Sequence, residues 1–221
     1  LPTGNKKQDA KLPGMGGVFN SRNLGAFGYA GLNPLNFIDP DGKELVRLIF
    51  ENSAFSEPII VDKTFIPVAI QMNEAALKRG IRIEVQASFR PSGAVLNNVV
   101  AGVTPAKRSK HYVGRAIDVN LVDKQGKWWH SKAFAAMRTE PKTPQEVVSR
   151  SQILGFLTEL KSTEISTEID RGKNPRWGGD FSTFDPVHFD LDLGREAWDK
   201  LYQENQKQYQ CGDIPTYTVA D

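Results

Sequence analysis

Ile117-Asp118-Val119-Asn120-Leu121 and, seventy residues later, Val187-His188-Phe189-Asp190-Leu191 each alternate an apolar side chain with a polar one. Successive side chains on a strand point to opposite faces, so each stretch reads as a strand with one face on a core and the other open. A further strand is expected where Ile81, Ile83, Val85 and Ala87 alternate with Arg82, Glu84 and Gln86. If the first two strands are neighbours, Asp118 and His188 stand together on the open side of the sheet.

Around these strands the spacing changes to that of helices. Phe65, Val68, Ala69, Met72 and Ala76 share one helical face, and Gly80 stops that helix. Thr143-Pro144-Gln145-Glu146 is a capping box with Pro just inside, opening a helix that buries Ile153, Phe156, Leu157 and Leu160. Leu193, Ala197, Leu201 and Tyr202 mark a closing helix, and residues 161–176 are polar enough to read as a loop. Strands and helices do not alternate strictly, so the expected class is α+β: a small, mainly antiparallel sheet flanked by helices. Residues 1–43 are rich in Gly, Asn and Pro without helical period and are expected to form an irregular N-terminal arm. The expected division is an arm over 1–43, a main domain over 44–205 and a polar tail over 206–221. The chain opens on Leu1 rather than Met, as a piece of something longer would.

Composition narrows the chemistry. A hydrophobic content of 39% and a charged content of 24% suit a soluble globular chain. A net charge of +2, with no Lys/Arg block, argues against nucleic acid as a partner, and no apolar run approaches the ~18 residues of a membrane span. Cys211 is the single cysteine, which excludes intramolecular disulfides and a Cys-rich zinc site. A metal would have to use histidine and carboxylate, and the histidines are His111, His130 and His188. His130, beside Trp128 and Trp129, is read as structural.

Two fragments meet that requirement, Ser109-Lys110-His111-Tyr112-Val113-Gly114-Arg115-Ala116-Ile117-Asp118 and Asp185-Pro186-Val187-His188. His111, Asp118 and His188 would supply three ligands to one zinc ion, leaving the fourth position for a water whose pKa falls towards ~7. Gly114 would let the lead-in loop bend back over the sheet. Asp185 is the candidate base, placed three residues before His188 with Pro186 stiffening the link. Arg90 could neutralise an oxyanion or hold a substrate carboxylate, and Ser109 could bond the metal ligands or the substrate. Trp177-Gly178-Gly179-Asp180-Phe181 is read either as a turn with a core tryptophan or as a lining of the cleft, with Trp177 and Asp180 as substrate-binding candidates.

At these residues the chain resembles the LAS group of zinc metallopeptidases, which includes lysostaphin, D-Ala-D-Ala peptidases and the sonic hedgehog fold. Ser109-x-His111-x-x-Gly114-x-Ala116-x-Asp118 matches the group's first signature at every fixed position, and Asp185-x-x-His188 matches the second. The resemblance spans roughly residues 65–192. It implies His111, Asp118 and His188 as zinc ligands, Asp185 as general base and acid, Arg90 as electrostatic helper, and the peptidoglycan stem peptide as substrate. Trp177-Gly178-Gly179-Asp180-Phe181 near Asp185-x-x-His188 resembles the L-alanyl-D-glutamate endopeptidases more than the D-Ala-D-Ala dipeptidases.

A second resemblance lies upstream. Residues 20–42, with Tyr29-Ala30-Gly31-Leu32-Asn33-Pro34 and Asp39-Pro40-Asp41-Gly42, are similar to the end of the RHS-repeat core, a bacterial shell whose variable C-terminal piece is usually a toxin. That implies a parent RHS shell, an immunity protein as further partner, and a secreted or delivered effector acting in the periplasm of target bacteria. The expected function is a zinc-dependent peptidoglycan peptidase cutting the L-Ala–D-Glu bond. The alternatives are a D,D-carboxypeptidase or D,D-endopeptidase and a non-catalytic, hedgehog-like zinc-binding module.

Overall fold

In the computed structural model, which describes residues 44–93, 108–164 and 173–220, the alternating stretches are strands of one sheet. The strands in chain order are β1 (Leu45–Phe50), β2 (Ile59–Asp62), β3 (Arg82–Ala87), β4 (Ala116–Val122), β5 (Trp128–Trp129), β6 (Arg176–Trp177), β7 (His188–Asp190) and β8 (Thr216–Val219). The helices are α1 (Ile66–Leu77), α2 (Ser131–Ala136), α3 (Pro144–Ser162) and α4 (Arg195–Gln210). The larger sheet runs β3-β4-β7-β6, with β5 also on β4, and the smaller runs β2-β1-β8. The pairings β3–β4, β4–β5, β4–β7, β6–β7 and β1–β2 are all antiparallel. The class is α+β, as the mixed periodicity implies.

The apolar rows of the larger sheet supply its core. Ile83, Ile117, Val119, Leu121 and Phe189 are fully buried, and Phe156 of α3 meets Phe189 with ring centroids 6.2 Å apart. Each such side chain contributes about 1.5–3 kcal/mol by leaving water. α1 buries Val68, Ala69, Met72 and Ala76, and Gly80 ends its turn at φ +64°, where a side chain would be strained. α3 opens as its sequence requires. Thr143 Oγ1 accepts from the Glu146 N–H at 3.1 Å, while Glu146 Oε2 accepts from the Lys142 N–H, one residue earlier than the reciprocal box would place it.

Several elements differ from the sequence-based expectation. β1 reads Leu-Val-Arg-Leu-Ile-Phe, and only Arg47 is exposed. Covered on both faces, such a strand shows no alternation to find. Residues 161–176 are not all loop: α3 runs to Ser162, and β6 occupies Arg176–Trp177. Within 206–221, α4 continues to Gln210 and β8 extends the smaller sheet. The polar side chains along the second half of α4 are used as bonds. Asn205 Nδ2 donates to Asp62 Oδ2 and the Val113 carbonyl, Gln206 Nε2 to the Arg90 and Tyr112 carbonyls, and Gln208 Nε2 to the Leu45 carbonyl. Lys43–Thr218 form one unit by contact. The expected arm over 1–43, with its RHS-like stretch, lies outside the described residues. No helix among the described residues is long and apolar enough to cross a membrane.

Candidate metal centre

The centre is assembled by two turns flanking one rung of the sheet. Asp118 and His188 face each other directly across the β4–β7 pairing, which puts both side chains on the sheet's open face. His111 comes from the short 3-10 turn Lys110–Val113, capped by Ser109, whose Oγ accepts from the His111 N–H at 3.3 Å. Gly114 closes that turn at φ +69°, and a Cβ there would stand 2.5 Å from the Asp62 nitrogen. The Gly114 carbonyl instead accepts from the Asp62 N–H at 2.9 Å, which ties the turn to the end of β2. The His111 carbonyl accepts from the Arg90 N–H at 2.9 Å, bringing Arg90 beside the centre.

His188 is placed by the second turn. Its N–H donates to the Asp185 carbonyl at 3.0 Å, and the Asp185 N–H donates to the Gly178 carbonyl at 2.9 Å. A Cβ on Gly178 would lie 2.1 Å from the Asp185 carbonyl oxygen, so this close approach requires glycine. The Trp177 indole N–H donates to the Pro186 carbonyl at 2.8 Å. Trp177-Gly178 therefore braces the Asp185–His188 turn through its backbone.

The three donor atoms converge. Asp118 Oδ1 lies 2.8 Å from His188 Nδ1 and 3.1 Å from His111 Nε2, and the two ring nitrogens are 3.2 Å apart. Donors of a tetrahedral ion with bonds of about 2.0–2.1 Å stand about 3.4 Å apart, so a small relaxation seats a divalent metal. The outward nitrogens fit this as well. His111 Nδ1 is 2.7 Å from the Ser88 carbonyl, and His188 Nε2 is 3.4 Å from Asp190 Oδ2. Each acceptor favours a proton on the outward nitrogen and leaves the inward lone pair for a metal. Two imidazoles and a carboxylate suit zinc among the common ions. Among the described residues, His111, Asp118 and His188 form the group of donors close enough to hold an ion.

Charge follows the same geometry. Burial alone would raise the Asp118 pKa, but its hydrogen bonds to His111 and His188 outweigh this and hold it well below the usual carboxylate range. Burial opposes charge on His188, yet the Asp118 and Asp190 carboxylates push its pKa up to about 9. Asp185 moves the other way: burial raises its pKa, and the neighbouring Asp118 charge raises it further. Arg90 Nη2 sits 3.9 Å from Asp118 Oδ2, on the oxygen that the histidines leave free.

Other candidates lie elsewhere. Trp177 pairs with Phe189 across β6–β7, so it occupies the sheet face opposite His188. There its ring lies 5.6 Å from Phe134, and both line an open groove of about 1100 Å³ beside α3. Asp180 pairs with Lys161 at 2.8 Å on the surface. His130 caps α2, its Nδ1 accepting from the Lys132 N–H at 3.2 Å, a structural role. Sequence reasoning missed Asp190 and Arg176. The first could have been found by the period of two from His188, which puts Asp190 on the same face.

Three donors on the open face of an antiparallel sheet, with a carboxyl at the adjoining turn, could hold a metal ion and set a proton acceptor beside it. A family model described as D-alanyl-D-alanine carboxypeptidase matches residues 103–191, a span containing His111, Asp118, Asp185 and His188. Among solved structures, the L-Ala D-Glu endopeptidase ChiX of Serratia marcescens is 22% identical over 60% of this chain and 80% of that chain, with a TM-score of 0.34. No curated protein matches the chain.

Proposed function

We propose that the chain is a zinc-dependent peptidase acting on the stem peptide of peptidoglycan. The observation that carries this is the convergence of His111, Asp118 and His188 beside the Asp185 turn, within the span matched by a peptidase family model. The three side chains would hold the ion, and zinc when bound supplies Lewis acidity and an acidified water. Asp185 takes a proton as the amide is attacked and returns it to the leaving amine. Burial and the Asp118 charge hold its pKa above the ordinary carboxylate value, which makes it a better proton carrier near neutral pH. Arg90 presents a cation at the edge of the same face, suited to an oxyanion or a substrate carboxylate.

The bond favoured is L-Ala–D-Glu, on the resemblance of Trp177-Gly178-Gly179-Asp180-Phe181 to the endopeptidases. The D,D reading has its own support in the description of the matched family. A role as the toxin piece of an RHS-type effector, delivered to the periplasm of a rival and checked by an immunity protein, rests on residues 20–42.

The test is digestion of purified sacculi with zinc-loaded wild type, Asp185→Ala and His188→Ala, with the new termini read by mass spectrometry. Wild type should release fragments ending in L-Ala, and cuts at D-Ala would select the D,D reading. Asp185→Ala should keep its zinc and lose turnover by about 10²–10⁴-fold. If wild type leaves sacculi intact, as His188→Ala is expected to do, the peptidase reading fails.

A further inference from the structure

The open face of the larger sheet continues past the metal donors, and the strand register says what stands there. Opposed residues of an antiparallel pair point to the same side, as do residues two apart on one strand. Beyond the rung of Asp118 and His188, the next position on this face of β4 is Asn120, opposite Glu84 of β3. The rung after that holds Arg82, Val122 and Trp128, because β4 pairs there with β3 on one side and β5 on the other. Asp118, Asn120 and Trp128 therefore share one face, and four residues of strand put the Trp128 rung about 13 Å from Asp118.

The tryptophans differ in what holds them. The Trp129, Trp177 and Trp198 indoles each donate a hydrogen bond, to Asp123 Oδ2, the Pro186 carbonyl and the Ser109 carbonyl. Trp128 is 47% exposed, and among the described residues its indole has no hydrogen bond and no ring contact. Asn120 is half-buried and its amide likewise has no partner among the described residues, while Arg82 Nε donates to Glu84 across from it. Packing and bonding within the fold thus account for neither side chain.

We propose that this row is a substrate track: the stem peptide lies extended over the open face from the metal centre to Trp128, the Asn120 amide bonding one of its peptide groups and the Trp128 ring covering the residue at the far end. The proposal rests on the reading of the chain as a stem-peptide peptidase and adds how much of the peptide it holds. Continuity with the donors carries it. An extended peptide leaving the Asp118–His188 rung along β4 passes Asn120 after about two residues and reaches Trp128 after about four. A side-chain amide both donates and accepts, which complements the N–H and carbonyl of a peptide group. An indole at the surface offers a flat apolar area that only a ligand removes from water. A ligand of about two residues would end near Asn120 and leave the ring bare. Trp177, the tryptophan singled out by its sequence context, lies on the opposite face of the sheet.

The test is cleavage by the zinc-loaded full chain of free stem peptides, shortened one residue at a time from the end away from the bond cut. The same series would be run carried on its disaccharide, with kcat and KM read separately for wild type, Asn120→Ala, Trp128→Ala and Trp128→Phe. Zinc stoichiometry and melting should match wild type in all three variants. Trp128→Ala should lower kcat/KM about 10–30-fold on the longest free peptide, with the loss shrinking as the peptide shortens, and Trp128→Phe should recover part of it. Asn120→Ala should cost about 3–10-fold and persist to shorter peptides than the Trp128→Ala loss does. A loss of equal size at every length would mark a structural effect and overturn the track, as would wild-type kinetics in both alanine variants. A Trp128→Ala loss seen only with the disaccharide attached would seat a sugar on the ring and overturn the peptide assignment. Failure of wild type to cleave any member of either series would overturn the peptidase reading itself, and the track with it.

Discussion

Asp118 and Asp185 are carboxyls of one centre driven in opposite directions, Asp118 down by its histidine partners and Asp185 up by burial and the Asp118 charge. In the proposed reaction, that separation would divide a permanent anion, Asp118, from a proton carrier, Asp185. Arg90 stands 3.9 Å from the outer oxygen of Asp118, too far for a firm bond and close enough to serve an incoming oxygen. Arg90→Met is expected to lower kcat/KM on muropeptides about 10²–10³-fold with zinc stoichiometry unchanged. Loss of zinc from that variant would show that the arginine serves Asp118 instead. Alternation placed Asp118 and His188 each on the open side of its strand, because both stretches carry a clean period of two, whereas the pairing that sets them face to face could be read only from the structure. Asp190 has the same period, but alternation cannot show that its carboxylate is taken by Arg176. Arg176 could not be found that way, since β6 has only two residues and no periodicity to read.

The turn from Trp177 to His188 is held by backbone contacts. Trp177 and Gly178 anchor the turn that carries Asp185, through one indole bond and one contact that leaves no room for a Cβ. Gly178→Ala should therefore displace Asp185 and reduce turnover by about 100-fold, a misplacement effect that sacculus digestion would register. A second element is held by charge. Asp123 is 4% exposed and accepts from the Trp129 indole at 2.9 Å, from the Ser149 hydroxyl, and from the Gln125 and Lys127 N–H groups, joining β4, β5 and α3. Burial would raise its pKa, but these bonds outweigh it and lower it. A carboxyl lowered on folding adds stability above its unfolded pKa of about 3.9, and that stability disappears as pH falls through the folded value. Urea denaturation should thus show wild type losing stability below about pH 4. Asp123→Asn should be weaker by about 1–3 kcal/mol at pH 7 and show a flatter acid slope. An identical acid slope in the variant would remove Asp123 from that role.

Across the chain, α4 holds the smaller sheet and the metal-bearing turn with amides rather than apolar contacts alone. Gln206 takes the Ser92 N–H at 2.6 Å and gives its own protons to the Arg90 and Tyr112 carbonyls. Gln206→Ala is expected to cost about 1–3 kcal/mol in urea denaturation of the metal-free protein, with a larger loss of zinc affinity than an exposed control such as Lys200→Ala. A polar run at the end of a chain looks like a tail because composition cannot show which amides have carbonyls waiting. The Asp118–His188 rung has a consequence for the history of the molecule. A slip of one residue between β4 and β7 would throw the two donors to opposite faces, while hydrophobic collapse could proceed regardless. Competence to capture metal during refolding therefore dates the moment when those strands lock, and a zinc-responsive dye added to the refolding chain would act as a clock for that single event.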